Sequence, residues 1–534
     1  MLTYKDSVAL RQWQIIGRSV TTTPDIPLAR QWLRDCLESH CLCPKTLKSR
    51  PPPRILDLAP PGGAAGDLRL LTDVTSFDQY AALSHCWGNS QPLKLTRKSY
   101  EEFQRNISFD CLPKTFQDAV TTTRDLDLRY LWIDSLCILQ DSIQDWEEQC
   151  AEMKRIYKDA FITIAGAAAS NCESGFLHDR SVGSSTTLQV SHRGVSDEIV
   201  LTHRDMDEFT GIDLPEQDSP LHKRAWVFQE RLLSSRILYF GTKRMYFECF
   251  TNARIENCHH PIRWADDEID IVVKTPLNQL STHSARRRYW STLVVAYSQM
   301  KLTKISDKLP ALSGLASDFQ QLTKSRYLAG IWQEDMPDAL AWHVPFYDDT
   351  PPSRLALSSD CIASSSDYIA PSWSWASVRF EVVNIYSNLC HGDLRVIDAE
   401  VRSASHDPFG TVESGWVKLY GKIRTFSVRR FPDVSISGRR TLYVQLGNSQ
   451  NPFLATYFPD DPYAITASEF ELSALYLGTD SKRIDVAMGV QRVDEKGNIY
   501  KRVGLVHNDR HIFGYNRNFE DTFRDTSPTL LHLI

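Results

Sequence analysis

At 534 residues, with 42% hydrophobic, 24% charged and 10% aromatic side chains, the chain has a globular composition, and its 13 Trp and 23 Phe exclude extended disorder. The length exceeds what one hydrophobic core usually supports, so two or three structural units are expected. A net charge of −6 offers no general attraction for phosphate backbones or anionic lipid, which leaves nucleic acid outside the expected partners despite the basic run SARRRYW at 284–290.

The opening MLTYKDSVALRQWQIIG lacks the basic start, apolar core and small-residue cleavage site of a signal peptide, and no stretch reaches about 18 uncharged apolar residues. A cytoplasmic protein without a membrane span is the expectation. Twelve cysteines are too few for a disulfide scaffold of this length. One cluster, CLESHCLC, brings together Cys36, His40, Cys41 and Cys43, but its spacings do not match a paired CxxC zinc site, and NCHH at 257–260 is a distant candidate for completing one. A packed helix end, with no metal, is the expected reading.

In chain order, residues 1–67 read as an N-terminal helical segment closed by the Pro/Gly-rich linker KSRPPPRILDLAPPGGAAGD at 48–67. From 68 to 180 strand and helix patterns alternate: YAALSHCWG, then PKTFQDAVTTTRDLD, RYLWID, IQDWEEQCAEMKRIYKDA and FITIAGAAA. That order predicts βαβ units with a parallel sheet. Pro113 suits the start of the first helix, with Phe116, Ala119, Val120 and Thr123 on its packing face. In the second, Asp145 reads as the N-cap with Glu148 three residues on, and Trp146, Cys150, Met153 and Tyr157 share one side. YLWI and FITIA are continuous apolar runs, as strands covered on both faces should be. RAWVFQERLLSSRILYFGTKRMYFECF at 224–250 reads as helix, strand, turn, strand. Residues 285–343 look mostly helical. From about 371 short strands take over, including PSWSWASV, GWVKLYGKI, TLYVQLG and SALYLG, with DEKGN as a hairpin turn.

In open parallel sheets ligands bind beyond the carboxyl ends of the strands, where loops and helix N-termini converge. That rule collects Ser84, His85, Cys86, Trp87 and Gly88 from the first strand, Asp134, Ser135 and Cys137 from the second, and Gly166 to Ser170 from the third. Three readings compete. A Cys or Ser nucleophile with His85 as base and Asp134 as orienter is chemically reasonable. Against it, no GxSxG elbow or protease-like Cys signature is present, and adjacent strand residues such as His85 and Cys86 point to opposite faces. A nucleotide pocket would place Asp134, Glu148 or Glu152 on a ribose hydroxyl, with Trp87 stacking on a base. In a structural reading Asp134 caps the next turn, and Trp87, Trp132 and Trp146 fill core. Arg224, Glu230 and Arg231 either cluster at the sheet edge, with Arg224 as an anion ligand, or pair among themselves while Trp226, Leu232 and Leu233 pack. No GxGxxG follows the first strand and no GxxxxGK[ST] exists, so Rossmann and P-loop assignments fail.

The segments YAALSHCWG, LPKTFQDAVTTTRDLDLRYLWIDSLCILQD, DWEEQCAEMKRIYKDAFITIAGAAA, GFL, RAWVFQERLLSSRILYF and MYFEC occur in the order and spacing of the heterokaryon incompatibility (HET) domain of filamentous fungi, which this chain resembles. KLTKISDKLPALSGLA, YLAGIW and PSWSWASV extend the resemblance over most of residues 28–380. It implies a role in fungal nonself recognition, where fusion of unlike hyphae triggers growth arrest and programmed cell death with the HET domain as toxic effector. It also implies an α/β fold distantly similar to TIR domains, which are flavodoxin-like parallel-sheet modules, some of them cleaving NAD with a helix glutamate. Where HET sequences often carry Glu three residues after the helix Trp, this chain has Gln149, flanked by Glu148 and Glu152.

The implied layout is an N-terminal segment to 67, a HET domain at 68–260 with core motifs at 80–250, a helical region at 261–345 and a β-rich region at 346–534. Glu148, Glu152 and Asp134 are the catalytic candidates. Ser84, His85, Trp87, Gly88, Ser135, Cys137, Arg224 and Glu230 are the ligand-binding ones. No cofactor is expected, NAD is a candidate substrate, a nucleotide is a candidate ligand, and protein partners or self-association are expected. The alternatives are an enzyme, either an NAD glycohydrolase or a biosynthetic-cluster catalyst, and a non-catalytic module that signals by oligomerising.

Overall fold

A computed structural model describes residues 22–45, 50–60, 66–72, 74, 79–88, 93–180, 185–192, 195–202, 219–256, 262–263, 274–345, 368–383, 388–430, 435–436, 439–440, 443–446, 453–461, 469–494, 497–508 and 519–534. The chain divides into two compact units, 1–279 and 280–534.

The first unit is built from α1 (Ile26–Ser39), β1 (Arg54–Asp57), β2 (Arg69–Thr72), β3 (Tyr80–Ser84), α2 (Tyr100–Arg105), α3 (Lys114–Asp125), β4 (Tyr130–Trp132), α4 (Ile143–Asp159), β5 (Ile162–Ala165), the hairpin β6 (Ser185–His192) and β7 (Val195–Thr202), α5 (Ala225–Leu233), β8 (Arg236–Phe240), β9 (Met245–Cys249), β10 (Asn252–Ile255) and β11 (Ile262–Arg263). One sheet runs β11-β10-β9-β8-β5-β3-β4-β1-β2. Its middle, β4-β3-β5-β8, is parallel, and both flanks are antiparallel. The fold is therefore mixed α/β around a parallel centre. Every residue of β3, β5 and β8 is buried, which is why their sequences are mostly apolar, with Ser84, Thr163 and Arg236 as the exceptions.

The usual right-handed crossover puts α3 on one face and α4 and α5 on the other, and α4 does touch α5. The chain leaves β3 in one direction and β5 in the other. Their adjacent carboxyl ends form the switch point at which such sheets bind ligands.

Several local expectations need correction. The RILD of the presumed linker is β1, in register with both β2 and β4. Helix α4 is capped by Ser142, whose hydroxyl accepts from Asp145 N at 3.4 Å. Asp145 is not the cap because Arg54 holds it at 2.6–2.7 Å. The buried face of α4 is Gln149, Met153, Ile156 and Tyr157, while Trp146 is 38% exposed and fills no core. The third strand stops at Ala165, short of the full FITIAGAAA run. On α3, Phe116, Ala119, Val120 and Thr123 are buried as the spacing predicts.

The second unit begins with α6 (His283–Ser298) and α7 (Ser313–Thr323). They pack on a short hairpin, Tyr327–Leu328 with Ile331–Trp332, that interrupts the expected helical run. Trp290, Phe319, Tyr327 and Trp332 meet there with ring centroids 5.1–6.3 Å apart. PSWSWASV is not a strand: Trp375–Ser377 is a turn of 3-10 helix capped by the Ser374 hydroxyl, with Trp373 and Trp375 both buried. Beyond it, Ile499–Asn508, Phe453–Pro459, Tyr443–Leu446, Ile423–Arg430, Glu469–Thr479 and Asp485–Arg492 pair in that order, and the last returns to the first, closing an antiparallel barrel. Phe426, Tyr457, Leu472, Tyr476, Val506 and Phe523 belong to its core. Thr529–Leu533, Val412–Gly421 and Arg395–Ser403 continue the sheet outward. A cavity of about 210 Å³ in this unit is lined by residues that include Arg287, Trp290, Asp335 and Asp338. No helix among the described residues is long and apolar enough to cross a membrane.

Candidate functional site

Beyond the carboxyl ends of β3, β4 and β5 the chain turns sharply. After β3, Gly88 takes φ +71°, and a Cβ there would lie 2.2 Å from the Asn171 Cβ. The loops leaving β3 and β5 therefore cross in contact, and only glycine fits between them. After β4, Asp134 opens a single helical turn, Asp134–Cys137. Its carboxylate accepts from its neighbour's backbone, Ser135 N at 2.7 Å, and from Trp87 Nε1 at 2.9 Å. Trp87 is thus fixed by its indole N–H beside Asp134.

Arg224, the residue before α5, donates from Nη1 to the carbonyl oxygen of His85. His85 is fully buried, edge-on to Phe116 at 5.1 Å, with Nδ1 3.9 Å from Asp134 Oδ1. Burial, opposed by Asp134 and reinforced by Arg224, pushes its pKa down to about 4, so the ring is neutral near pH 7. Glu230, one helical turn and a half further along α5, is also buried. Burial raises its pKa to about 7, against the lowering influence of Ser84 and Arg224. Tyr157 on α4 lies against the same carboxyl and donates to Leu83 O at 3.1 Å.

Four buried polar atoms in this neighbourhood have no hydrogen-bond partner among the described residues: Ser84 Oγ, His85 Nε2, Ser135 Oγ and Glu230 Oε2. Ser84 Oγ comes near enough to Glu230 to act on its charge without completing a hydrogen bond. Orphaned polar atoms cost about 1–3 kcal/mol each, which folding alone would select against. An acid, a neutral imidazole and a guanidinium at a switch point are equipped to hold a polar ligand and exchange a proton with it.

The sequence-derived set divides accordingly. Ser84, His85, Trp87, Asp134, Arg224 and Glu230 come together, and Gly88 shapes the turn. Ser135 is buried, with its backbone N–H on the Asp134 carboxylate. Cys137 is fully buried with its thiol pushed up to about 12 by burial, and burial likewise raises Cys86, which disfavours a thiolate nucleophile. The two α4 glutamates lie elsewhere: Glu148 is exposed and accepts from Gln144 at 3.0 Å, and Glu152 pairs with Arg155 at 2.5 Å. Gln149, not a glutamate, occupies the buried position between them. The α5 charges do not pair among themselves, since Arg231 binds Glu248 at 2.8 Å and leaves Glu230 to the site. Tyr157 was missed as a site residue. Its signal was available, because it continues the buried α4 stripe through Gln149 and Met153 toward β3.

Other motifs have structural explanations. In GFL, the backbone N–H groups of Phe176 and Leu177 donate to buried Asp118 of α3 at 2.7 and 2.9 Å. In MYFEC, Glu248 accepts from Arg231 and from Tyr239 OH at 2.8 Å.

Residues 80–230 match the family model described as Heterokaryon incompatibility protein (HET), so the chain carries a HET domain. The match runs from the first residue of β3 to Glu230 and contains every member of the cluster. No curated protein and no solved structure matches the chain.

Proposed function

We propose that this HET-domain chain is an effector of nonself recognition in a filamentous fungus, arresting growth and initiating cell death when a partner protein or self-association switches it on, and that the Ser84, His85, Asp134, Tyr157, Arg224 and Glu230 cluster is its working site. The observation that carries this reading is the coincidence of the family match with the cluster: the matched span encloses all six residues, three of which, Ser84, His85 and Glu230, hold a buried polar atom that awaits a partner. Induced expression in a fungal host tests it. Wild-type protein is expected to arrest growth, and Glu230→Gln and Arg224→Ala, at equal protein level, to relieve the arrest. Unaffected growth with abundant wild-type protein would sink the reading.

A second reading draws on the same carboxyl. An acid with a pKa near 7 beside a cation suits cleavage of a nucleotide's glycosidic bond, with NAD as the candidate substrate and Asp134 positioned to stabilise developing positive charge. Purified protein incubated with NAD should then release nicotinamide, and Glu230→Gln should not. No release at high protein concentration removes this version and leaves the effector reading standing.

A further inference from the structure

Away from that edge, the first unit gathers a second set of chemistry-bearing side chains. Cys36 lies on the last turns of α1, His40 immediately follows that helix, Cys43 follows in the turn beyond, and Cys249 ends β9. All four are buried, and one ligand atom from each lies within 4.8 Å of the other three. His40 presents Nδ1 to Cys249 Sγ at 3.3 Å. A tetrahedral zinc with Zn–S bonds of about 2.3 Å spaces its sulfurs about 3.8 Å apart, so the four atoms would need to close by only about 1 Å.

We propose that Cys36, His40, Cys43 and Cys249 form a structural zinc site that fastens α1 to the β9–β10 edge of the sheet. Three thiolates and one imidazole, with no position left open, are the donor set of a closed structural site. A disulfide would use two of the sulfurs and leave a third thiol and the histidine unexplained.

Two independent features agree. The first is the shell around the ligands. His40 Nε2 is 3.2 Å from Asn252 Nδ2, and with the amide turned over so that Oδ1 faces the ring, that oxygen accepts from Nε2–H and fixes a ring that ligates through Nδ1. Thr251 N points at Cys249 Sγ at 3.5 Å, and the Thr251 hydroxyl lies 3.6 Å from Cys43 Sγ, contacts that suit electron-rich sulfurs. The second is charge. Arg236 is fully buried, and its guanidinium reaches Cys36 Sγ at 3.3 Å and two backbone carbonyls, with no carboxylate partner among the described residues. A buried cation without a counter-charge is strongly unfavourable. Three thiolates around one Zn²⁺ carry a net charge of −1, which neutralises Arg236.

The spacing of CLESHCLC hid this site because its fourth ligand comes from the other end of the unit: His40 and Cys249 are 209 residues apart in sequence. The sequence's own suggestion for a completing segment, NCHH at 257–260, lies outside the described residues.

The test is metal analysis of the full chain, purified under reducing conditions without chelator. About one zinc per chain is expected, lost in Cys249→Ser and Cys43→Ser and retained in Cys41→Ser, whose side chain is exposed. Asn252→Ala, which removes only the partner of the His40 ring, should weaken zinc binding about 10–100-fold. If the cysteine variants fail to fold, exchange of cobalt(II) into wild-type protein still decides, since thiolate-to-cobalt charge-transfer and tetrahedral d–d bands should appear. Wild-type protein that carries no zinc and shows no such bands overturns the proposal. So does a mass two hydrogens lower that maps to a disulfide between two of these cysteines in protein alkylated at lysis.

Discussion

Glu230 on α5 and Glu248 on β9 are both carboxylates enclosed by the first unit, and they meet burial in opposite ways. Glu248 has Arg231 at 2.8 and 3.0 Å and the Tyr239 hydroxyl at 2.8 Å, with Lys274 also acting on it. Burial pulls its proton affinity up, but these partners outweigh burial and hold its pKa below the usual range. Glu230 has an orphaned oxygen, an orphaned serine hydroxyl beside it and a guanidinium committed to the His85 carbonyl, and burial wins. A saturated network fixes a fold, whereas an unsaturated one at a sheet's switch point is held ready for something else.

The largest effect is expected where the saturated network is broken. Glu248→Leu strips Arg231 of its carboxylate and Tyr239 of its acceptor inside the sheet. Loss of one member of a buried ion pair costs about 3–5 kcal/mol, to be read by denaturant unfolding. A loss under about 1 kcal/mol would mean that the network does not distinguish Glu248 from Glu230.

The next prediction concerns pH. Glu230 has a folded pKa of about 7, raised above its ordinary value of 4.5, so between those values the folded protein holds the proton more tightly than the unfolded chain does. Its contribution to stability is present in acid and is lost as pH rises from about 4.5 through 7, by an amount on the order of 3 kcal/mol. His85 runs the other way. Its pKa falls from 6.5 to about 4, so its contribution is present above 6.5 and is lost as pH falls toward 4. In the wild type these two slopes oppose each other between about 4.5 and 6.5. Glu230→Gln removes one of them, and the variant should gain on wild type from pH 5 to about pH 7 in thermal melts and level off toward pH 8. A constant difference across that range would show that Glu230 titrates normally.

These two glutamates also mark what the sequence could and could not disclose. The four central strands and the α3 face were legible because burial on both sides leaves an unbroken apolar run and helix packing leaves a 3.6-residue stripe. The strand-end rule then collected Ser84, His85, Asp134 and Trp87. What was lost depended on contacts distant in sequence. Asp145 reads as an N-cap until Arg54 of β1 claims it, and β1 reads as linker until it pairs with β4. Glu230 and Arg231 look like a local charge run until β9 supplies Glu248 to one and burial isolates the other. In PSWSWASV an alternation of Trp and Ser imitates a strand, although the indoles are buried by a capped 3-10 turn.

A smaller effect is expected at Gly88. Gly88→Ala places a methyl group at a left-handed φ and against Asn171, at a cost of about 2 kcal/mol. The strain falls on the loop that carries Trp87, whose indole is bonded to Asp134. Growth arrest should therefore weaken more than the melting temperature alone would suggest, and Glu248→Leu should weaken it less per degree of melting temperature lost. Equal weakening in the two variants would assign the effect to folding instead of to the site.

The smallest effect separates the site from the face of α4 to which the family resemblance pointed. Glu148→Ala removes an exposed carboxylate bonded to Gln144, and Glu152→Ala removes one partner of a half-exposed pair with Arg155. Exposed pairs of this kind contribute about 0.2–1 kcal/mol, so both variants should melt within a degree or two of wild type. Growth arrest and any nicotinamide release should also be unchanged, because neither side chain reaches the cluster around Glu230. Should Glu152→Ala abolish activity while Glu230→Gln preserves it, the working carboxylate would belong to the outer face of α4. The unsatisfied atoms at the switch point would then need a different explanation, the first candidate being ordered water bonded to Ser84 Oγ, His85 Nε2 and Glu230 Oε2.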